Sequence, residues 1–200
     1  MSTRGLYGFR KNGVDKTTYN HSDSYPEGLG AAISKFCCSV TPAQMSDFFD
    51  RIILVEERGK PTKEQQHYCM AKGWYDPYVG NRTPESWYNL LRNLQGNMSE
   101  LDKAVRSGED FFMTDGGDFI KDSLFCEYAY IINLDSGMLE FFEGFQHEPQ
   151  EGNRYGEEPM DNVNYPSDYY PCRLALEIPL DDISALSAAV PAMLAVCKED

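Results

Sequence analysis

The chain predicts an α+β fold, an antiparallel sheet built from an N-terminal hairpin, a central hairpin and a late strand, with helices packed against it. Three observations carry this. Asn12-Gly13 and Asp135-Ser136-Gly137 each sit between two apolar, strand-like runs. Thr41-Pro42-Ala43-Gln44 and Thr62-Lys63-Glu64-Gln65 each read as the opening of a capped helix. The order of hairpin, helices, hairpin, strand and helix is not a series of βαβ units.

Taken in order, Leu6 to Arg10 and Val14 to Tyr19 form the first hairpin across Lys11-Asn12-Gly13. Asn20 to Gly30 is a polar loop in which Pro26 and two glycines disfavour strand or early helix. A helix follows from Leu29 to Val40. The next, from Pro42, places Met45, Phe48, Phe49, Ile52 and Ile53 on one face. A third runs from Thr62 to Lys72. Thr83-Pro84 opens another, with Trp87, Leu90, Leu91 and Leu94 at core spacing, and Ser99 caps a short one that stops at Gly108. From Phe111 the pattern returns to strands, and Cys126 to Leu134 and Met138 to Phe145 make the second hairpin. Cys172 to Ile178 is a last strand. Leu180 to Val196 is an apolar helix that Pro191 kinks or splits.

Between the second hairpin and that strand, residues 146–171 hold Glu148, Glu151, Glu157, Glu158, Asp161 and Asp168 against a single base, Arg154, together with four prolines and two glycines. Such a stretch buries too little apolar surface to fold alone and reads as a long acidic surface loop of one 200-residue domain.

Charge narrows the function. With 18 basic and 32 acidic residues the chain carries −14, so unaided binding to a nucleic-acid backbone is not expected. Acidity suits solubility, attraction to a basic protein surface, or imitation of nucleic acid toward a protein that handles it. No apolar run approaches the length of a membrane span, and the first residues lack the apolar core of a signal peptide, so the expected location is the cytoplasm with no membrane partner. The six cysteines show no C-x-x-C pair and no zinc spacing, and His67 and His147 have no second ligand at metal spacing. Neither a metal nor a cofactor is expected. Asp115-Gly116-Gly117-Asp118 lacks the alternating oxygen ligands of a calcium loop and reads as a turn. Walker, dinucleotide-binding, nucleophile-elbow and H-E-x-x-H patterns do not occur.

The densest cluster of chemistry-bearing residues is at the start. Pairing across Asn12-Gly13 brings residues 3 to 5 opposite 20 to 22, so that Arg4, His21 and Asp23 share one sheet end with Asn20 and Tyr25. A guanidinium, an imidazole and a carboxylate together can bind an anion or run acid–base chemistry. The same residue types also build turns and caps. Met1 stands before a small residue and is expected to be trimmed, which exposes Ser2. Ser2, or Thr3 after a second cleavage, is then a candidate nucleophile whose own α-amine is the base. The strand, tight hairpin and Asn-x-x-Asp order resembles the opening of bile-salt-hydrolase-like N-terminal-nucleophile hydrolases, which begin at a cysteine where this chain has Ser2. A second candidate surface is the aromatic run of Trp74, Tyr75, Tyr78, Trp87 and Tyr88, which fits either partner binding or core packing.

Thr3-Arg4-Gly5-x-Tyr7-Gly8-Phe9, Tyr19-Asn20-His21-x-Asp23-Ser24-Tyr25-Pro26-x-Gly28-Leu29-Gly30 and the segment from Leu124 to Glu140 resemble a group of open reading frames of bacteria and their phages. The resemblance implies a phage or mobile-element origin and transfers no catalytic residue. Three functions follow from the sequence: an acidic binding or inhibitor protein acting on a basic, nucleic-acid-handling host protein; a small hydrolase or ribonuclease-like enzyme built on Arg4, His21 and Asp23; or a regulatory domain without catalysis.

Overall fold

The computed structural model describes residues 2–160 and 168–197. Its strands are β1 (Gly5–Lys11), β2 (Val14–Asn20), β3 (Ile52–Val55), β4 (Phe111–Thr114), β5 (Tyr128–Asn133), β6 (Met138–Glu143) and β7 (Arg173–Pro179). Its α-helices are α1 (Ala31–Ser39), α2 (Pro42–Arg51), α3 (Lys63–Ala71), α4 (Trp87–Leu90), α5 (Met98–Ser107), α6 (Ile183–Ser187) and α7 (Ala189–Val196). The class is α+β. A five-stranded sheet runs β2-β1-β5-β6-β7 and a small second sheet pairs β3 with β4.

Both predicted hairpins are present: β1 pairs antiparallel with β2, and β5 with β6. The wholly antiparallel sheet is corrected, because β1 also pairs parallel with β5, from Gly5↔Tyr128 to Arg10↔Asn133, and β3 pairs parallel with β4. The chain between β2 and β5 is long enough to pass over the sheet and return in the direction of β1, the crossover that parallel strands require. Asp135 ties the two hairpin tips together by accepting from the amides of Asn12 (2.6 Å) and Gly13 (2.8 Å).

Side chains alternate along these strands. Tyr7, Phe9, Tyr130, Ile132, Leu139 and Phe141 join the main core with the helices, whereas Leu6, Ala129, Ile131 and Phe142 join a smaller cluster with Ile120, Cys126 and Cys172. Gly8 lets β1 lie against β2: a Cβ there would stand 2.2 Å from the Lys16 carbonyl oxygen.

Both capping boxes form, Thr41 with Gln44 and Thr62 with Gln65. Basic side chains close helix C-termini, where carbonyls lack partners. Lys16 Nζ donates to the carbonyls of Phe49 (2.9 Å) and Ile52 (2.6 Å), and Arg51 to those of Ala104 and Glu109.

Local expectations fail where tertiary bonds and strand pairing take the backbone. The helix expected from Thr83 reduces to α4 and a 3₁₀ turn at Arg92–Leu94. The Asn89 carbonyl accepts from Asp76 N, and Asn93 N donates to Trp74 O, so the helical bond between them is never made. Ile52 and Ile53 leave the α2 face because a β-branched run pairs readily as a strand. Pro26–Gly30 forms a π-helical turn rather than open loop, with proline at its first position, where no N–H is required. Asn97 caps α5 in place of Ser99. The terminal helix splits at Ala188, and Pro191 falls in the first turn of α7, where its missing N–H has no helical acceptor to lose.

Candidate functional site

The N-terminal corner assembles much as its sequence suggests. Gly5↔Asn20 is the last ladder pair, and beyond it Ser24 N donates to Thr3 O at 3.2 Å. Arg4 stacks its guanidinium over Phe125, 4.6 Å from the ring centre. Its own backbone amide donates to Glu127 Oε1. His21 is exposed, and its Nδ1 lies 2.9 Å from the Tyr19 hydroxyl. Burial raises the Tyr19 pKa, against the pull of Arg4 and Arg92. Burial likewise raises that of Asp122, opposed by the Phe125 amide and Arg4.

Catalytic contacts do not follow from this proximity. Ser2 Oγ donates to the backbone carbonyl of His21, not to its ring. Asn20 is buried and spends its amide on Ser22 O (2.6 Å) and Ser24 Oγ (2.8 Å). Asp23 is exposed with φ +57° and offers its carbonyl to Leu29 N, which fixes the turn into α1. Tyr25 lies half on the surface. Arg4 and His21 can meet an anion from solvent, but among the described residues no hydroxyl is paired with the imidazole except that of Tyr19.

The aromatic run separates by burial. Trp74 and Trp87 are in the core, while Tyr75 is half-buried and donates to Arg82 O. Tyr78 projects from the same loop with 85% of its surface exposed.

The acidic segment is no free loop over its described part. It crosses the second face of the five-stranded sheet as a strap. Gln150 bonds both backbone groups of Leu174 on β7, at 3.1 and 2.8 Å. Asn153 donates to Cys172 O. Arg154 forks onto Glu140 of β6, a carboxylate only 2% exposed, which also accepts from Asn133 at 2.7 Å. Tyr155 packs edge-on against Phe142 and reaches Asp15 of β2 at 3.0 Å, where Arg10 completes the network at 2.8 Å. Burial opposes the Arg154 charge, yet Glu140 and Tyr155 together outweigh it and the guanidinium pKa is raised. Burial also pushes the Tyr155 hydroxyl up, with Asp15 adding to it.

The outward side of this region is acidic. Glu148, Glu151, Glu157, Glu158 and Asp168 are exposed, as are Glu177 on β7 and Asp181 and Asp182 in the turn after it. Asp161 lies outside the described residues. Residues 140–200 hold 13 acidic and three basic side chains, ten of the chain's net fourteen negative charges. Two of those bases, Arg154 and Arg173, are paired with the buried carboxylates of Glu140 and Glu143. Glu177, Asp181 and Asp182 were not among the residues the sequence singled out, although their run of acid beside the last strand was visible.

No family, no curated protein and no solved structure matches this chain. No described helix is long and apolar enough to cross a membrane.

Proposed function

We propose that the chain is an acidic binding or inhibitor protein, of phage or mobile-element origin, whose strap and β7 edge engage the basic surface of a nucleic-acid-handling host protein. One observation carries this reading: the negative charge is concentrated after residue 140, and two of the three bases there are paired with buried carboxylates. A surface of that kind attracts a Lys- and Arg-rich partner over a Debye length and competes for the site a phosphate backbone would fill. The sheet beneath keeps the acids in place, so binding does not have to order a free loop.

The test is capture from nuclease-treated bacterial lysate on C-terminally tagged protein, followed by displacement with duplex DNA. A basic partner retained at low salt, released at high salt and displaced by DNA is the expected result. Reversing Glu148, Glu151, Glu157 and Glu158 to Lys should abolish capture. Retention that ignores both salt and charge reversal contradicts the reading.

The alternative, a hydrolase or ribonuclease-like enzyme using Arg4, His21 and Asp23, has in its favour that Arg4 and His21 follow on from the same ladder pair, Gly5↔Asn20. It predicts a histidine limb in a pH–rate profile that His21→Ala removes.

A further inference from the structure

Two thiols meet beneath the end of the strap. Cys126, just before β5, and Cys172, just before β7, are both 0% exposed and pack among Leu6, Ile120, Ala129, Ile131 and Phe142. Cys172 Sγ donates to the Cys126 carbonyl oxygen at 3.2 Å and Cys126 Sγ to the Tyr128 carbonyl oxygen at 3.7 Å, and the neighbouring Cys172 thiol adds to burial in raising the Cys126 thiol pKa. Both are free thiols. The backbone on each side is pinned, Cys126 N to Asp122 O at 2.8 Å and Cys172 N to Ile120 O at 3.0 Å. Gly144 lets the end of β6 lie against Cys126, since a Cβ there would stand 2.1 Å from the Cys126 carbonyl oxygen. The strands that follow the two cysteines are not sheet neighbours, because β6 lies between them. The contact therefore encloses the whole β5–β6 hairpin and the strap.

We infer that Cys126 and Cys172 are a disulfide site, closed by a small-molecule disulfide of the glutathione class, which staples the C-terminal end of the acidic strap to the sheet. One cysteine thiolate attacks a sulfur of oxidised glutathione, whose S–S bond breaks to release one glutathione thiolate. The second cysteine thiolate attacks the protein sulfur of the mixed disulfide and releases the other. Two cysteine thiols are oxidised, one disulfide is reduced to two thiols, and the two cysteine protons pass to the departing glutathiones. Neither sulfur touches solvent, and burial holds the Cys126 thiol in its protonated form. Attack therefore waits on lifting of the strap, which Arg154–Glu140, Asn153–Cys172 and the Gln146↔Tyr170 bridge oppose. The site stands whether or not the strap binds a basic partner.

The test is incubation of the native chain with oxidised glutathione, alkylation of remaining thiols, and peptide mapping without reductant. The expected product is a Cys126–Cys172 peptide pair with loss of two hydrogens from the chain mass, reversed by dithiothreitol. The oxidised form should melt higher than the reduced one, as closure of a long loop predicts. Arg154→Ala, which loosens the strap, should form the link several-fold faster, whereas Cys172→Ala should form none. Because Cys172→Ala removes a buried side chain, the decision rests on mapping the unsubstituted chain. Glutathione adducts on Cys38 and Cys197 without the Cys126–Cys172 link, or no link after prolonged incubation, overturns the inference.

Discussion

The two faces of the five-stranded sheet are closed by different chemistry. One face, with Tyr7, Phe9, Tyr130, Ile132, Leu139 and Phe141, is covered by helices and is mostly apolar, its polar groups including the Tyr7 and Tyr130 hydroxyls, bonded to backbone carbonyls, and the Glu143–Arg173 pair beside α7. The other carries Leu6, Ala129, Ile131 and Phe142 beside Glu140, Asp15 and Arg10, and is covered by a strap that brings Arg154 and Tyr155. Apolar packing is non-directional and is lost roughly in proportion to the atoms removed. A buried ionic network is conditional, because deleting one member leaves its partner charged and dry. The strap thus sits where its acids are displayed and its one base is used up.

The comparison breaks most heavily on the helix-covered face. Phe9 is fully buried in edge-on contact with Phe36 and Phe48. Phe9→Ala should cost about 4 kcal/mol in urea-induced unfolding. On the strap face, Arg154→Ala should cost about 3 kcal/mol because Glu140 is stranded, while the double change Glu140→Leu with Arg154→Met should cost far less. A double variant as unstable as the single one would show that packing, not charge, holds the strap. Gly8→Ala, which drives a methyl into the Lys16 carbonyl of the adjacent strand, should cost about 2 kcal/mol and disturb both faces equally.

The smallest effect lies at the hairpin tips. The amides of Gly13 and Asn12 hold the Asp135 carboxyl below the usual carboxylate range. A depressed folded pKa means that its stabilisation is present above the unfolded carboxylate value, about 4, and is lost as pH falls through the lower folded value. Asp135→Asn should therefore be less stable than the parent at neutral pH and equal to it in acid. A difference that persists in acid would contradict this.

Much of the fold was legible because its signals are local. Both Thr-x-x-Gln capping boxes stand where they were read, and Asn12 and Gly13 take positive φ, at +53° and +74°, as the hairpin turn demands. The parallel pairing of β1 with β5 has no local signature, since nothing near Gly5 specifies Tyr128. The loss of the helix after Thr83 depends on Asn89, whose buried amide reaches Val79 O across ten residues. At the corner, the pairing of Gly5 with Asn20, which puts Arg4 and His21 at one ladder end, was legible from the hairpin turn. The direction of the Ser2 hydroxyl was not. The strap's anchor could have been found: Glu140 lies between Leu139 and Phe141 in an apolar strand, and a carboxylate there needs a counter-charge that Arg154 is placed to supply.

The central claim is that the strap and β7 edge act through charge, and the most direct measurement is the affinity of the captured partner across a range of salt. Affinity is expected to fall steeply with rising salt, and the slope to flatten when Glu148, Glu151, Glu157 and Glu158 become Gln. An affinity independent of salt, or a salt slope unchanged by those four substitutions, would contradict it.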